Sequence, residues 1–259
     1  MIYLIGILIG VSLGLIGAGG AIVAVPAFVY LEGIPPTLAS GYALFVVAVA
    51  SAVASVQFIR QRFVDWRSVL AFGSTTLVSI ALTRRVLMPM LPDVIVGIPR
   101  DSALMLAFAG VLLTAAYGML RMPPKPHTGE PVHMGRLAAY GTIIGVISGI
   151  LGVGGGFLMT PALVLWAGLD MKRAVATSLV LISANSAIGV AADLTGGVDY
   201  EWNFVATFTL LTTLGIVTGT MLHQRIDGQR LKKGFGWFIL AIGIAVAVRE
   251  VSALVYPTA

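Results

Sequence analysis

The sequence predicts an all-α integral membrane protein built from two inverted repeats. Three observations lead to this fold class: an apolar composition, a glycine pattern that occurs twice, and opposite charges in equivalent loops. Of the 259 residues, 58% are hydrophobic and 10% are charged, whereas a soluble domain carries roughly 25% charged residues. The apolar runs are continuous, without the alternation of polar and apolar residues that a β-barrel needs. They therefore predict membrane-spanning helices.

A pattern of glycines and one proline occurs twice, at a constant offset of 135 residues. The first copy begins at Gly6 and reads GILIGVSLGLIGAGGAIVAVPAFVYLEG; the second begins at Gly141 and reads GTIIGVISGILGVGGGFLMTPALVLWAG. An internal duplication in a membrane protein is typical of secondary transporters. The predicted organisation is repeat one at 1–121, a Pro-rich polar linker at 122–135 and repeat two at 136–259.

Each repeat contains five apolar segments. They cover 2–17, 20–31, 36–59, 68–88 and 101–120 in repeat one, and 137–151, 155–167, 173–193, 202–222 and 234–254 in repeat two. At 1.5 Å per residue, the first two segments of each repeat are too short for a hydrocarbon core of about 30 Å. The glycines between them break the helix and permit a reversal. Each pair therefore predicts a Gly-tipped helical hairpin whose tip lies inside the membrane.

Loop charge predicts how the repeats are oriented. The loop at 60–67 carries three arginines and one aspartate, whereas the equivalent loop at 193–201 carries only acidic charge. Equivalent loops of opposite charge are expected on opposite sides of the membrane, so the repeats are predicted to be inverted, with both termini extracytoplasmic. This topology leaves four basic residues on the outer side: Arg84, Arg85, Arg100 and Arg249.

Several classes of function are disfavoured by what the sequence lacks. There is no cysteine, so thiolate chemistry and disulfides are excluded, and the first ten residues carry no basic region of a signal peptide. No Asp, Glu, Lys or His falls in the central part of a segment, which leaves no evident proton relay, metal site, catalytic dyad or Walker motif. We therefore expect no enzyme activity, no metal and no cofactor. The pI near 9.7 is explained by cytoplasmic loop residues rather than by nucleic-acid binding.

The first candidate substrate-binding residues lie at the two hairpin tips. Each tip starts a helix, where unpaired N–H groups and the positive end of the helix dipole suit an anion. Inversion brings the two tips together near the bilayer centre. A purely structural kink is the alternative interpretation of the same glycines. The tip residues are Gly19, Gly20, Gly154, Gly155 and Gly156.

Polar residues of the third segment complete the candidate site. Asn185 is the strongest of them because a buried amide needs several hydrogen-bond partners. Thr177 and Ser178 precede it on the same segment, and Ser51 of repeat one is equivalent to Ser186. Hydroxyls within a membrane often bond back to their own helix, so a structural role is the alternative for each.

The duplicated glycine pattern, followed by the run RAVATSL at 173–179, resembles the sulfite exporter TauE/SafE family, also called the 4-toluenesulfonate uptake permease family. The resemblance covers essentially the whole chain. It implies a multi-pass transporter in a prokaryotic plasma membrane for sulfite, sulfonates or related sulfur oxyanions. Repeat one departs from the pattern at Ala21, which replaces the third tip glycine, and at 40–43, where SGYA stands in place of VATS. The two half-sites are therefore expected to differ.

These observations together predict an anion transporter, with export of sulfite or an organosulfonate as the first hypothesis. A negative interior drives an anion outward by about 2.3 kcal/mol per charge per 100 mV, so export needs no coupling ion. A sulfonate uptake permease is the alternative in the same class. A structural membrane subunit of a larger complex is the alternative from another class. The expected partners are a small anion and the lipid bilayer, and the oligomeric state is left open.

Overall fold

The computed structural model is almost entirely helical, as the sequence predicts. It describes residues 2–17, 23–25, 27–28, 31–87, 90, 92, 94–95, 97–121, 133–151, 156–195 and 199–255. A short antiparallel hairpin of β1 (Val94–Ile95) and β2 (Ile98–Pro99) was not predicted. Gly97, at φ 77°, lies in its turn. Most of the predicted linker, 122–132, lies outside the described residues.

The helices of repeat one follow the predicted segments closely. They are α1 (Ile2–Ile16), α2 (Pro36–Arg60), α3 (Trp66–Leu82) and α4 (Arg100–Arg121). Residues 23–25 and 27–28, between α1 and α2, are also helical. α3 contains a π-helical turn at Val69–Gly73, and a second π-helical segment, Thr83–Leu87, follows it.

Repeat two has one helix for each of its five predicted segments. Its helices are α5 (Met134–Leu151), α6 (Gly156–Leu165), α7 (Met171–Thr195), α8 (Trp202–Arg225) and α9 (Gly228–Val255). Among the described residues, five stretches are long and apolar enough to cross a membrane: Gly41–Arg60, Ser102–Arg121, Met171–Thr195, Trp202–Arg225 and Gly228–Ser252. The first helices of the two repeats, together with α3, contribute shorter apolar stretches. The chain is therefore a multi-pass, all-α membrane protein.

Helix ends coincide with residues that favour them. Asp65 precedes α3, and its carboxylate accepts a hydrogen bond from the Ser68 backbone N–H at 3.1 Å. Asp170 precedes α7 and accepts from the Arg173 backbone N–H at 3.0 Å. Carboxylates at these positions satisfy N–H groups that have no partner within the helix. The helix starts are thus fixed by the local sequence.

Helices of one repeat pack mainly on helices of the other, and the pairing is reciprocal. α1 packs on α8, and α5, which is equivalent to α1, packs on α3, which is equivalent to α8. The two third segments, α2 and α7, pack on each other, as do the two fifth segments, α4 and α9. Each of these contacts therefore recurs with the two repeats exchanged.

The pairs of first and fourth segments run parallel in close backbone contact. Gly10 of α1 faces Thr212 of α8, and Gly14, one turn later, faces Ile216. In the second repeat, Gly141 faces Phe72 in the same manner. A Cβ at any of these glycines would collide with the backbone of the neighbouring helix. The duplicated glycines therefore permit close helix packing.

The pairs of equivalent helices run antiparallel. Ser183 of α7 donates a hydrogen bond to the Ala48 carbonyl of α2 at 3.3 Å, whereas Gly189, further along α7, faces Leu44, which lies earlier in α2. α4 and α9 also run in opposite directions, since Gly236 faces Leu120 while residue 243 faces residues 112 and 113. α2 and α7 form the centre of the protein: their most apolar stretches are 50% and 61% buried, against 22% for α9.

Candidate functional site

Most of the predicted tip residues lie outside the described part of the chain. These residues are Gly19, Gly20, Gly154 and Gly155, and their role in binding stays a prediction. The fifth, Gly156, is the first residue of α6. α1 ends at Ile16 and α5 ends at Leu151, so a short helix precedes each predicted tip. The described residue next to the first predicted tip is Gly17, and its contacts show where the first repeat approaches the second.

Gly17 ends α1 and touches two helices of repeat two. Its φ of 81° is in the left-handed region that favours glycine, and its N–H donates to the Leu13 carbonyl at 2.8 Å. A Cβ added at Gly17 would lie 2.7 Å from Ser178 Oγ on α7 and 3.2 Å from Thr160 Oγ1 on α6. The end of the first tip helix is therefore packed directly against the predicted site residue Ser178.

Thr160 and Ser178 form a buried pair of hydroxyls at this junction. Thr160 Oγ1 donates to Ser178 Oγ at 2.8 Å, and Ser178 Oγ donates to the Val175 carbonyl at 2.9 Å. Both side chains are fully buried. Thr160 was missed by the sequence analysis. It was detectable as a polar residue in a short helix that is otherwise apolar and follows a predicted tip.

Ser51 and Thr177 have partners within the protein. Ser51 Oγ donates to the Val47 carbonyl of its own helix, and Thr177 Oγ1 accepts a hydrogen bond from the Asp65 backbone N–H at 3.0 Å. Both residues are fully buried. These contacts support the structural alternative for the two hydroxyls, and a role in binding stays a prediction.

Asn185 is the predicted site residue whose polar groups have no hydrogen-bond partner in the described part of the chain. Its side chain is 9% exposed, and neither Oδ1 nor Nδ2 forms a hydrogen bond within the described ranges. A primary amide offers two N–H donors and two acceptor lone pairs. Burying such groups without partners costs roughly 1–3 kcal/mol. The N–H donors of the amide are therefore available to a ligand that accepts hydrogen bonds.

Several buried hydroxyl groups also lack a partner among the residues that the structure describes. They belong to Ser12 of α1, Ser148 of α5, and Thr212 and Thr213 of α8. Ser12 and Ser148 were not among the predicted site residues. They occupy the first helix of each repeat, close to the predicted tip. An unpartnered buried hydroxyl therefore lies on the first helix of each repeat, as far as the described residues show.

Aromatic side chains cluster at one end of the central helix pair. Phe28 packs edge-on against Tyr42, Phe204 and Phe208, with ring centroids 6.3, 5.7 and 4.7 Å apart. Tyr200 packs on Tyr42 at 5.2 Å and donates its hydroxyl to Asp193 at 3.1 Å. Burial and the neighbouring Asp193 carboxylate both raise the pKa of Tyr200. The phenol therefore stays protonated and remains a donor.

Polar side chains gather at the opposite end of the same helices. A cavity of about 370 Å³ lies there, lined by Gln61, Phe63, Lys172, His223 and Gln224. No group of three or more His, Asp or Glu side chains among the described residues could hold a metal ion. Among the described residues, aromatic side chains therefore cluster at one end of the central helices, and polar side chains line a cavity at the other.

The chain is similar in sequence to membrane transporters from bacteria and archaea. The family model described as sulfite exporter TauE/SafE matches residues 2–246. A probable membrane transporter protein of Xylella fastidiosa strain 9a5c is 26% identical over 96% of this chain and 95% of its own. The probable membrane transporter protein YunE of Bacillus subtilis is 28% identical over 89% and 90%. A probable membrane transporter protein of Methanocaldococcus jannaschii is 24% identical over 90% and 89%.

Proposed function

The chain belongs to the sulfite exporter TauE/SafE family of membrane transporters, and we propose that it exports a small sulfur-containing anion, sulfite or an organosulfonate, across a prokaryotic plasma membrane. The observation that carries this proposal is the buried, unpartnered amide of Asn185 in the described part of the chain. Asn185 lies on α7, and Ser178 of the same helix is in contact with Gly17 at the end of α1. An oxyanion placed at this repeat interface supplies the acceptors that the amide N–H groups lack.

The inverted topology is supported by the direction of equivalent helices. α2 and α7 are the third segments of their repeats, and they run antiparallel. α4 and α9, the fifth segments, also run antiparallel. If each of these helices crosses the bilayer, the two repeats have opposite orientations. A two-fold axis in the membrane plane then relates them, as in many secondary transporters.

The basic ends of several helices also support this topology. Lys172, at the start of α7, donates to the carbonyl of Gln224 in the last turn of α8 at 3.2 Å. Asp65, in the loop after α2, is bonded to Thr177 near the start of α7. The ends of α2 and α8 and the start of α7 therefore share one face, and that face carries Lys and Arg. By the positive-inside rule it is cytoplasmic, which leaves both termini outside.

The anion site itself is proposed between the two hairpin tips. The first N–H groups of α6, from Gly156 onward, have no carbonyl partner within the helix. Together with the helix dipole they favour a negative charge. Gly154 and Gly155 would present the preceding N–H groups, and Gly19 and Gly20 the corresponding ones of repeat one. Asn185 supplies a further donor to the anion in this proposal, with Ser51, Thr177 and Ser178 nearby.

Transport of a panel of anions by the purified protein tests this function. Proteoliposomes that contain the single polypeptide are loaded with sulfite, 4-toluenesulfonate, sulfate or chloride, and efflux is followed under an imposed membrane potential. We expect efflux of sulfite or the sulfonate that accelerates when the interior is made negative. Accumulation against that potential would instead favour a sulfonate uptake permease. Absence of flux for every anion, with correctly folded protein, would favour a structural subunit.

A further inference from the structure

The cavity at the basic end of the central helices has a lining suited to an anion. Gln61 and Phe63 follow α2, Lys172 lies at the start of α7, and His223 and Gln224 lie at the end of α8. Among the described residues, the lining contains amide, ammonium and imidazole groups and no carboxylate. At about 370 Å³, the space exceeds what a small oxyanion alone requires, so that the anion can enter with part of its hydration.

His223 lines this cavity, and one of its ring nitrogens is buried without a hydrogen-bond partner among the described residues. The residue is 1% exposed, and Nδ1 lies 2.8 Å from the Leu15 carbonyl oxygen. Because a carbonyl only accepts, Nδ1 carries the hydrogen in this bond, and Nε2 is the nitrogen that remains. Nε2 is buried and has no hydrogen-bond partner among the described residues. Phe58 packs edge-on against the ring, with centroids 5.3 Å apart, and helps to fix its orientation.

Lys172 supplies the positive charge. Its ammonium group donates one hydrogen bond to the Gln224 carbonyl at 3.2 Å, and an ammonium has three donors. Two charged groups act on the His223 ring: Lys172 of α7, and Asp170, which immediately precedes α7. Asp170 already accepts from the Arg173 backbone N–H. From the described parts of α1 and α2, the uncharged groups of Leu15, Gln57 and Phe58 face this region.

We propose that this cavity is a second anion-binding site, a vestibule in which Lys172 and the Nε2 of His223 hold the transported oxyanion before it reaches the hairpin tips. The proposal rests on the proposed function for the identity of the anion. The link between the two sites is short, since His223 bonds to Leu15, two residues before Gly17. An imidazolium ring donates from Nε2 to a fully ionised anion, and a neutral ring accepts from a protonated one such as hydrogensulfite.

Direct binding is measured on the imidazole itself. The chain has three histidines, so ¹⁵N-histidine labelling gives few ring signals, and that of His223 is identified by its loss in His223→Asn. Sulfite is titrated into the purified protein, with chloride at equal ionic strength as the control for screening. We expect a saturable shift of the His223 ring nitrogens with sulfite and none with chloride.

A matched pair of charge variants tests Lys172. Lys172→Gln removes the charge that lines the cavity, whereas Arg225→Gln removes an exposed charge at the same end of α8. Loss of a charged hydrogen bond should weaken sulfite binding at His223 roughly tenfold. The control should change binding less than about twofold, because exposed charges are screened. Equal effects of the two variants would overturn a specific role for Lys172.

Two substitutions of His223 test the roles of its two ring nitrogens separately. The amide introduced by His223→Asn can still donate to the Leu15 carbonyl but leaves nothing at the position of Nε2. His223→Gln keeps a polar group at that position. The half-saturating sulfite concentration for flux from this side should rise more in His223→Asn than in His223→Gln. The opposite order, in folded protein, would contradict a ligand role for Nε2.

The failures of the two proposals are distinguishable. A shift of the His223 signals without any sulfite flux supports the vestibule and overturns the proposed function. Flux with no shift at His223 up to saturating sulfite overturns the vestibule and retains the proposed function. Flux accompanied by a shift that Lys172→Gln weakens supports both.

Discussion

The hydroxyl of Thr177 accepts a hydrogen bond from the backbone N–H of Asp65 at 3.0 Å, which joins α7 to the loop before α3. The same contact occurs with the repeats exchanged: Tyr42 Oη on α2 accepts from the Glu201 backbone N–H, before α8, at 2.9 Å. Tyr42 and Thr177 are separated by the repeat offset, and Asp65 and Glu201 by one residue more. Different side chains therefore make an equivalent contact in the two halves.

Replacing Thr177 by Val should destabilise the protein. The substitution keeps the shape of the side chain but leaves the Asp65 N–H without its acceptor, and a backbone group orphaned in this way costs roughly 1–3 kcal/mol. Thermal unfolding in detergent measures the loss as a lower midpoint. Thr177→Ser restores a hydroxyl and should recover most of the stability.

Thr142→Val is the matched control for this loss. Thr142 is exposed on α5 and donates to the Ala138 carbonyl of its own helix. Its substitution should leave the midpoint nearly unchanged. If Thr177→Val unfolds at the same temperature as this control, the contact with Asp65 contributes no stability, and a ligand role for Thr177 becomes the better interpretation.

Cysteine accessibility tests the inverted topology. The chain contains no cysteine, so a single introduced cysteine is the only residue that a thiol reagent can label. Arg62 and Asp199 are exposed residues in equivalent loops of the two repeats. A membrane-impermeant thiol reagent added outside intact cells should label Asp199→Cys and leave Arg62→Cys unmodified until the cells are opened. Labelling of both variants from the outside would exclude the inversion.

The spanning helices were predictable because uncharged runs end at charged or helix-breaking residues. The predicted segment 173–193 became α7, Met171–Thr195, bounded by Asp170 on one side. What the sequence did not reveal depends on contacts between distant residues. Thr160 joins the site only because α6 packs beside Gly17, and the cavity exists only because the end of α8 lies against the start of α7. The π-helical turn at Val69–Gly73 had no signal in the apolar pattern.

Substitution of Gly17 should have two separate effects, one on its left-handed backbone conformation and one on its contact with Ser178. Gly17→Ala places an L residue at φ 81°, a strain of about 1–2 kcal/mol. It also puts a Cβ 2.7 Å from Ser178 Oγ. Sulfite flux in proteoliposomes and thermal stability in detergent should therefore both fall.

Gly33→Ala separates these two effects. Gly33 has a similar φ of 66°, but an added Cβ would meet nothing within 4 Å among the described residues. This variant should show the backbone strain alone and should retain transport. Equal loss of flux in the two alanine variants would mean that the contact between Gly17 and Ser178 has no functional importance.

Substitution of Asn185 should reduce transport without lowering the stability of the protein. Asn185→Leu replaces a buried amide, unpartnered among the described residues, with an apolar side chain of similar size, so the unfolding midpoint should stay constant or rise. Sulfite flux should fall by about tenfold or more, on the order of one lost ligand hydrogen bond in a buried site. Asn203→Leu, at an exposed position of α8, provides the control and should keep its flux. A destabilised Asn185→Leu protein would indicate that the amide has a structural partner. Undiminished flux in a stable variant would remove Asn185 from the anion site and leave the hairpin tips to bind the anion alone.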